Sequence, residues 1–568
     1  MNKIIIIIII QLGLLISSNC HASTIQPKED INEKGKKNDI INNLPKEYYT
    51  NTASNGFKIT DMFVDYDEVD LHLKFILDTN FVTSNYGSIL TKYYQELFFI
   101  DEQDDLNTDN MKKKKYRAMY YRCVYYVSSQ NNSNSNTFKT KVYRTPNEVE
   151  TLQRGENVRP YEALIMKCKI PHEIYNSNDN NRNYHIVNIE YQYYNDNNKN
   201  GDSNKRNIFL ERANKGDFNI ENITFQLPKN NNGNLLDTMK KTITDNKSIL
   251  GACTMVYGEY INNWLLQWIE YNIHVVGVST FYIYDDAGNR PSNTKKLLQK
   301  MIDKGNVVYI PWPQIPKTSK VFERQIQGMN SCIHRFGKYH KYILIGDVDE
   351  YIVPTIDFRQ VKAAEAVMKP KEAGKAIASI LLNTMMKTLM SVNKTISVRN
   401  LDIGGDHSKA LENKDVLWNV GDRMCTKGPT KDREKSFFHT NYGGTDLIIS
   451  LVIDQGHNVV IFEHNDSYEL EPPPTSIYLN ENKFLLFHYW SGTADQSCNF
   501  LHMNEVENRF IASKLEYNYD SNNMIEVPDE KIMVHSSPIE SFTWIYTCKG
   551  FHQFMKDRLV DAYPSLQS

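Results

Sequence analysis

The sequence predicts an α/β protein in which a mostly parallel β-sheet covered by helices follows a β-rich, sandwich-like domain. Short apolar runs alternate with helical patterns from residue 249 onward, which is typical of strand–helix–strand units with parallel strands. Before that point, residues 56–228 contain short alternating runs separated by Asn-rich loops, as sandwich domains do. A length of 568 residues exceeds what one hydrophobic core supports, so more than one domain is expected.

The β-rich region is predicted from period-two alternation. Residues 69–75 alternate apolar and polar side chains, which places one face of a strand in a core. Similar runs occur at residues 120–127, 138–143, 161–169 and 184–193. Cys123 and Cys168 lie inside two of these predicted strands, so the sequence is compatible with a disulfide between them.

The second half alternates strands with helices. Strands are predicted at residues 249–257, 281–284, 307–310 and 342–345, and helices at residues 261–272, 295–304 and 321–336. In the first helix, Trp264, Leu265 and Trp268 fall on one side, as expected of a helix packed on a sheet. Ligands of such sheets bind at the carboxyl ends of the strands, so polar residues at these ends are the candidate functional residues.

The N-terminus predicts entry into the secretory pathway. Residues 4–16 are almost entirely apolar but fall short of the roughly 20 residues needed to span a bilayer. Residues 1–22 are therefore interpreted as a cleaved signal peptide, with a short membrane anchor as the competing interpretation. Either one directs the chain to the Golgi lumen or membrane, or out of the cell. Sequons at Asn131, Asn222, Asn246, Asn393 and Asn465 agree with a glycoprotein.

The remaining boundaries follow from composition. Residues 23–55 are polar and predict a flexible stem, and the domain proper is expected at residues 249–500 with a C-terminal extension at 501–568. The formal net charge of -3 gives no reason to expect a nucleic-acid partner.

Two acids at a strand end carry the main chemical prediction. Asp347 and Asp349 follow the predicted strand 342–345 in the sequence GDVDE at positions 346–350. Alternate residues of an extended chain share a side, so both carboxylates can face one cation. Carboxylate oxygens suit Mg²⁺ or Mn²⁺, and such an ion can bridge the phosphates of a sugar nucleotide. A turn with solvated acids is the alternative.

A second acidic pair ends a neighbouring strand. Asp285 and Asp286 follow the predicted strand 281–284, where a nucleotide-binding fold receives ribose or base hydroxyls. A turn is again the alternative, because the residues that follow have turn composition.

Several motifs in this half are more specific than the acidic pairs. They are WLLQWIEY at 264–271, GVSTFYIYD at 277–285, Gln325, NSC at 330–332 before Arg335, and DVDEYI at 347–352. Weaker matches follow at Lys435-Ser436, Gly456-His457 and His488-Tyr489. In this order and spacing, residues 253 to about 490 resemble glycosyltransferase family 92. The segment 435–457 matches poorly, which leaves the donor sugar and the acceptor open.

The resemblance implies a GT-A fold, which is Rossmann-like, and a manganese-dependent reaction. It also implies UDP-galactose as donor and glycans as acceptors, including fucose-bearing N-glycans, with inversion at the anomeric carbon. An inverting transfer needs a base for the acceptor hydroxyl and a metal for the departing diphosphate.

The other candidate residues are single positions. His488 follows an apolar run and is a candidate third metal ligand, with a buried structural histidine as the alternative; His457 is a second candidate. Lys435 is a candidate partner of the diphosphate or, alternatively, a surface lysine. Asp446 and Glu463 are candidates for the base.

Two other classes of protein fit parts of the pattern. A metal-dependent nucleotidyltransferase also uses paired carboxylates at a sheet edge. A secreted, catalytically decayed carbohydrate-binding or adhesion protein is the non-enzymatic alternative.

Overall fold

The structure is a computed structural model. It describes residues 58–66, 70–78, 99–100, 115–116, 120–127, 136–139, 143–144, 163–175, 185–192, 220–225, 227, 235–256, 262–286, 293–312, 321–354, 358–393, 395–404, 425–440, 450–453, 459–462, 477–478, 484–489 and 549–563. The predicted signal peptide or anchor (residues 1–22) and the stem (23–55) lie outside these ranges.

The N-terminal half is built of antiparallel sheets. One has the order β1-β2-β8 and the other the order β10-β9-β5-β6, with β7 also on β5. The strands are β1 Lys58–Tyr66, β2 Leu71–Asp78, β3 Phe99–Ile100, β4 Lys115–Tyr116, β5 Tyr120–Val127, β6 Asn136–Lys139, β7 Tyr143–Arg144, β8 Ala163–Lys169, β9 His185–Gln192 and β10 Ile220–Phe225. A short helix, α1 (His172–Tyr175), follows β8.

The disulfide suggested by the sequence is present. Cys123 on β5 and Cys168 on β8 are bonded, with Cα atoms 6.0 Å apart, so the bond joins the two larger sheets. Both cysteines are fully buried. The run predicted at 138–143 corresponds to β6 and β7, which pair with opposite ends of β5.

The second half forms a mixed α/β domain. Within the described residues its sheet has nine strands, in the order β13-β12-β11-β14-β17-β16-β21-β15 with β20 beside β16. The strands are β11 Ser248–Val256, β12 Thr280–Asp285, β13 Val307–Pro311, β14 His340–Ile345, β15 Glu350–Pro354, β16 Ile396–Gly404, β17 Cys425–His439, β20 Ile477–Tyr478 and β21 Phe484–Tyr489. A separate hairpin contains β18 (Ser450–Ile453) and β19 (Val459–Phe462).

The sheet is mostly parallel, as predicted. Strands β13, β12, β11 and β14 are all parallel to their neighbours, so their carboxyl ends lie along one edge. The four predicted strands correspond to these, with ends that differ by one or two residues. Beyond β14 the sheet is mixed, because β17 runs antiparallel to both β14 and β16.

Helices cover this sheet. They are α2 Leu235–Asn246, α3 Asn262–Tyr271, α4 Asn293–Asp303, α5 Val321–Phe336, α6 Phe358–Val367, α7 Pro370–Ser391 and α8 Lys549–Ala562. A π-helical turn, Asn272–Val276, extends α3 and ends at Gly277, whose φ of 90° is a conformation that favours glycine. None of the described helices combines the length and apolarity needed to cross a bilayer.

Helix α8 belongs to the core of this domain, although it lies in the predicted C-terminal extension. Phe551, Met555 and Leu559 are fully buried in the same apolar cluster as residues of α3 and α7. Helices α7 and α8 approach closely at Gly374 and Gly550, where a Cβ on Gly374 would lie 2.1 Å from the Gly550 carbonyl oxygen. Only residues without a side chain permit this contact.

Strand β1 of the N-terminal half docks on helix α5 through a buried carboxylate. Asp61, 2% exposed, accepts a hydrogen bond from the Ser331 hydroxyl and lies 3.5 Å from the Arg335 guanidinium. The Ser331 hydroxyl also bonds to the Tyr284 hydroxyl at 2.8 Å. The NSC motif and Arg335 therefore join the two halves of the chain.

A second contact joins β1 to the 3-10 turn that follows α5. Asp65 on β1 forms 2.6 Å ion pairs with Lys74 on β2 and with Lys338 in the 3-10 turn Gly337–Tyr339 that follows α5. Burial alone would raise the pKa of Asp65, but the two ammonium groups outweigh it and hold the pKa well below its usual value.

His439, at the end of β17, gives the domain a pH-dependent stability. Its burial, helped by Lys341 and Lys247, lowers its pKa from 6.5 to about 4. The unfolded chain therefore binds this proton as the pH falls below 6.5, whereas the folded chain does not until about pH 4. We expect the free energy of unfolding to fall by about 2 kcal/mol over this interval on account of His439.

The variant His439→Phe tests this expectation by thermal unfolding at a series of pH values. It removes the titrating group and keeps a ring edge-on to Tyr342, whose centroid is 5.0 Å away. The melting temperature of the variant is expected to fall less steeply between pH 6.5 and pH 4 than that of the wild type. Equal slopes would assign the acid sensitivity to other groups.

Candidate active site

The candidate site lies at the carboxyl edge of the parallel strands. β11 pairs in register with both neighbours, Cys253 with Ile345 of β14 and Val256 with Asp285 of β12. The chain leaves β14 through Gly346, whose N–H bonds to the Cys253 carbonyl oxygen at 3.3 Å. The acidic pair 347/349 follows directly, at the edge where α/β sheets bind ligands.

The two acids flank a buried residue in a turn. Asp347 and Asp349 are half-buried, and Val348 between them is 7% exposed. The extended backbone assumed from the sequence is replaced by a turn over Val348 and Asp349, after which β15 begins. The Asp347 side chain is 28% exposed.

Two side chains contact the Asp347 carboxylate, and a third holds its backbone. Gln325 from α5 donates its side-chain amide to Oδ1 at 2.5 Å, and Nζ of Lys435 from β17 lies 3.4 Å from Oδ2. The backbone N–H of Asp347 bonds to Oε2 of Glu350, the first residue of β15, at 2.8 Å. Each carboxylate oxygen accepts more than one hydrogen bond, so these contacts orient Asp347 and leave it able to bind a cation.

Lys435 is buried, so the surface-lysine interpretation was wrong. The residue is 4% exposed, and Nζ lies 3.0 Å from Oε1 of Glu350. Burial lowers the pKa of Lys435, but Glu350 and Asp347 outweigh that effect and raise it above its ordinary value. The lysine is therefore an ammonium ion with two carboxylate partners.

Helix α3 supports the acidic turn through hydrogen bonds to β15, the strand that follows the turn. The Trp268 indole donates to the Glu350 carbonyl oxygen at 3.0 Å, and the Tyr271 hydroxyl donates to the Ile352 carbonyl oxygen at 2.9 Å. Both side chains are buried in the core. The WLLQWIEY motif is thus the support of β15.

A disulfide fixes α5 near the same turn. Cys253 on β11 and Cys332 on α5 are bonded, with Cα atoms 6.3 Å apart. Because Cys253 is the register partner of Ile345 at the end of β14, the bond ties the helix that carries Gln325 to the strands beneath the site. The sequence did not predict this pairing.

Asp285 and Asp286 differ in exposure. Asp285 is fully buried and accepts a 2.7 Å hydrogen bond from the Tyr309 hydroxyl of β13. Asp286 is half-buried in the following turn, and its N–H bonds to the Val256 carbonyl oxygen at 3.1 Å. Both lie along the same sheet edge as the acidic turn.

The other predicted site residues are described only in part. β21 pairs His488 with Glu350 of β15 and with Asp402 of β16, which places its backbone beside the acidic turn. Its side chain lies outside the described part of the structure. The other candidates, Asp446, His457 and Glu463, lie outside the described residues altogether.

The donor chemistry of the site fits a hard divalent cation. Asp347 and Asp349 supply carboxylate oxygens, the ligands that Mg²⁺ and Mn²⁺ prefer. Among the described residues, no three His, Cys, Asp or Glu side chains are grouped so that they could hold a metal ion by themselves. His488 is the further ligand that the sequence offers as a candidate.

Comparison with known proteins gives the class of the domain. Residues 250–416 match the model of glycosyltransferase family 92. This segment contains the acidic turn and the residues that contact it, except Lys435. The domain is thus of the glycosyltransferase class. This match confirms the resemblance to the family that the motifs of the segment carry.

Two plant proteins share short stretches with the chain. The galactan beta-1,4-galactosyltransferase GALS2 of Arabidopsis thaliana is 25% identical over 97 residues, 17% of this chain and 19% of the relative. The galactan beta-1,4-galactosyltransferase GALS3 of the same plant is 24% identical over 125 residues, 22% of this chain and 24% of the relative. The chain thus spans less than a quarter of the length of these curated relatives.

Sequence reasoning missed part of the site. Glu350 stood next to the acidic pair but was not assigned a role, and Gln325 was noted only as a motif residue. The signal available was their polarity inside otherwise apolar patterns, since both are about 4% exposed in the structure. A buried polar residue in such a pattern needs a partner, which is the Asp347 carboxylate for Gln325 and the Lys435 ammonium for Glu350.

Proposed function

We propose that the chain is a metal-dependent glycosyltransferase that moves a hexose, galactose from UDP-galactose, onto a glycan acceptor with inversion. The observation that carries this proposal is the acidic turn of Asp347 and Asp349 at a parallel-strand end inside the family-matched segment. The names of the two plant relatives support galactose as the donor sugar. A glycan acceptor, including fucose-containing N-glycans, follows from the family resemblance.

In this proposal Asp347 and Asp349, with His488 as the further ligand, hold Mn²⁺ or Mg²⁺. Such an ion supplies positive charge for the diphosphate as it leaves. Gln325 and Glu350 orient Asp347 for this role, and helix α3 holds the strand that follows the turn. The buried Lys435 adds a fixed positive charge that can pair with the diphosphate.

The remaining roles follow the sheet edge. Asp286 receives the ribose or base of the nucleotide, and the fully buried Asp285, bonded to Tyr309, holds the end of β12. Asp446 or Glu463 deprotonates the acceptor hydroxyl. We further propose that the α/β domain has a GT-A fold and that the two N-terminal sheets form a sandwich-like domain. Action in the secretory pathway, in the Golgi lumen or membrane or after secretion, completes the proposal.

A donor screen with the purified protein tests this function. Each sugar nucleotide is incubated with Mn²⁺ and without acceptor, and the released nucleoside diphosphate is measured. UDP-galactose is expected to be hydrolysed slowly, but faster than the other donors. Removal of the metal with a chelator should stop this hydrolysis.

Two outcomes of the screen would contradict the proposal. Carbohydrate binding without hydrolysis of any donor would favour a decayed binding protein. A preference for nucleoside triphosphates, with release of pyrophosphate, would favour a nucleotidyltransferase.

A further inference from the structure

Lys435 is shared unequally between two carboxylates. Its Nζ atom lies 3.0 Å from Glu350 and 3.4 Å from Asp347. The Glu350 side chain is 3% exposed and is also bonded to the Asp347 N–H, so its position is fixed. The Asp347 side chain is 28% exposed and offers its carboxylate towards the solvent side of the site. The contact with Glu350 is therefore the shorter and more buried of the two.

The ammonium lies against a carboxylate that also offers oxygens for a cation. Asp349 contributes a further attraction to Lys435, so all three acids of the turn act on the same positive charge. The group formed by Asp347, Asp349, Glu350 and Lys435 has a formal charge of -2, from three carboxylates and one ammonium. A divalent cation at Asp347 is repelled by an ammonium a few ångströms away in a partly buried setting, where charges are weakly screened.

We infer that Lys435 is a resident counter-cation that couples metal binding to nucleotide binding. Its charge keeps the affinity of the acidic turn for a divalent cation low until a nucleoside diphosphate is present. Lys435 then exchanges its contact with Asp347 for a diphosphate oxygen and keeps its contact with Glu350. This inference rests on the proposed function and adds to it that the protein takes up metal and nucleotide together.

Coupling of this kind is reciprocal and can be measured without any turnover. A nucleoside diphosphate should raise the affinity for Mn²⁺ by the same factor by which Mn²⁺ raises the affinity for the nucleoside diphosphate. Removing the ammonium should tighten Mn²⁺ binding in the absence of nucleotide. It should also reduce the factor by which a nucleoside diphosphate raises the affinity for Mn²⁺.

The test is titration calorimetry of Mn²⁺ with and without UDP, on the full-length protein. Lys435→Met should bind Mn²⁺ about tenfold more tightly than the wild type when UDP is absent, as expected for loss of one nearby positive charge. The enhancement of Mn²⁺ affinity by UDP should fall by about the same factor. Lys435→Arg, which keeps the charge, should retain most of the wild-type enhancement.

A double variant separates charge from folding. Lys435→Met leaves Glu350 buried without its ion pair, so the variant can fail to fold. Lys435→Met combined with Glu350→Gln removes one positive and one negative charge, and should return the Mn²⁺ affinity without UDP to near the wild-type value. Lys375→Met, an exposed lysine on α7, is the matched control and should change neither affinity. Thermal unfolding of each variant reports whether it is folded.

The outcomes distinguish the inference from the function on which it rests. Equal Mn²⁺ affinities and equal UDP enhancement in the wild type, Lys435→Met and the double variant would overturn the counter-cation role while the proposed function stands. Absence of both Mn²⁺ and UDP binding from the folded wild-type protein would overturn the proposed function itself.

Discussion

Replacing Asp349 with asparagine is expected to abolish turnover of the sugar nucleotide and to leave the fold intact. Asparagine has nearly the same shape but carries no negative charge, so the acidic turn loses one of its two proposed metal ligands. A decrease in rate on the order of 10²–10³-fold is expected, as for loss of other groups that stabilise developing charge. The rate of UDP release from the preferred donor, at saturating Mn²⁺, measures it.

The matched control is Asp303→Asn, which makes the same chemical change at an exposed position at the end of α4. This variant should retain wild-type activity. Both variants should melt at nearly the wild-type temperature, because Asp349 is half-buried in a turn and packs no core. Full activity of Asp349→Asn with Mn²⁺ and donor would contradict the assignment of the acidic turn.

Replacing Asp65 with alanine is expected to cost about 3–5 kcal/mol of stability, as measured when one partner of a buried ion pair is removed. Asp65 is the common partner of Lys74 and Lys338, and its side chain is 11% exposed. Its loss leaves two ammonium groups side by side at the contact between β1 and the helical half of the chain. Denaturant unfolding followed by fluorescence measures the effect as a lower midpoint.

Asp557→Ala is the matched control for this experiment. Asp557 forms a 3.0 Å ion pair with Lys371, whose side chain is 69% exposed, so its loss should cost less than about 1 kcal/mol. If Asp65→Ala unfolds at the same midpoint as this control, the contact between the N-terminal strands and α5 contributes little to stability.

The parallel part of the fold was predictable because its signals are local. Each strand from β11 to β14 is a short apolar run, and each helix between them has one apolar side, so periodicity and turn composition identify them. The helix α5 was predicted with its observed ends, Val321 and Phe336. The family resemblance pointed to the same segment.

The rest of the domain depends on distant contacts that no local pattern carries. β17 pairs with β14 across almost a hundred residues, and β15 pairs with β21 across more than a hundred. Helix α8 joins the core through α3 and α7 and also contacts α4 and α6, all of which come much earlier in the chain. Such pairings require knowledge of the folded chain, and sequence reasoning treated these segments as a weak match or an extension.

The same distinction applies to the site. Asp347, Asp349, Asp285 and Asp286 could be singled out as candidates because each stands at the end of an apolar strand or just after it. The environment of Lys435 was missed because its burial depends on β17 lying beside β14, and a lone lysine in a charged stretch is usually solvated. The second disulfide was missed for a similar reason, since Cys253 and Cys332 are separated by 79 residues and by two other strands.

The place of helix α8 has a consequence for how the protein is made. A ribosome synthesises this helix last among the described elements, yet the apolar face of α7 that it covers emerges much earlier. The nascent α/β domain therefore exposes that face throughout the synthesis of the intervening segment, when incomplete domains are prone to aggregate. Chaperone binding to α7 during translation, and failure of proteins shortened before residue 549 to reach a soluble state, are the expected signs.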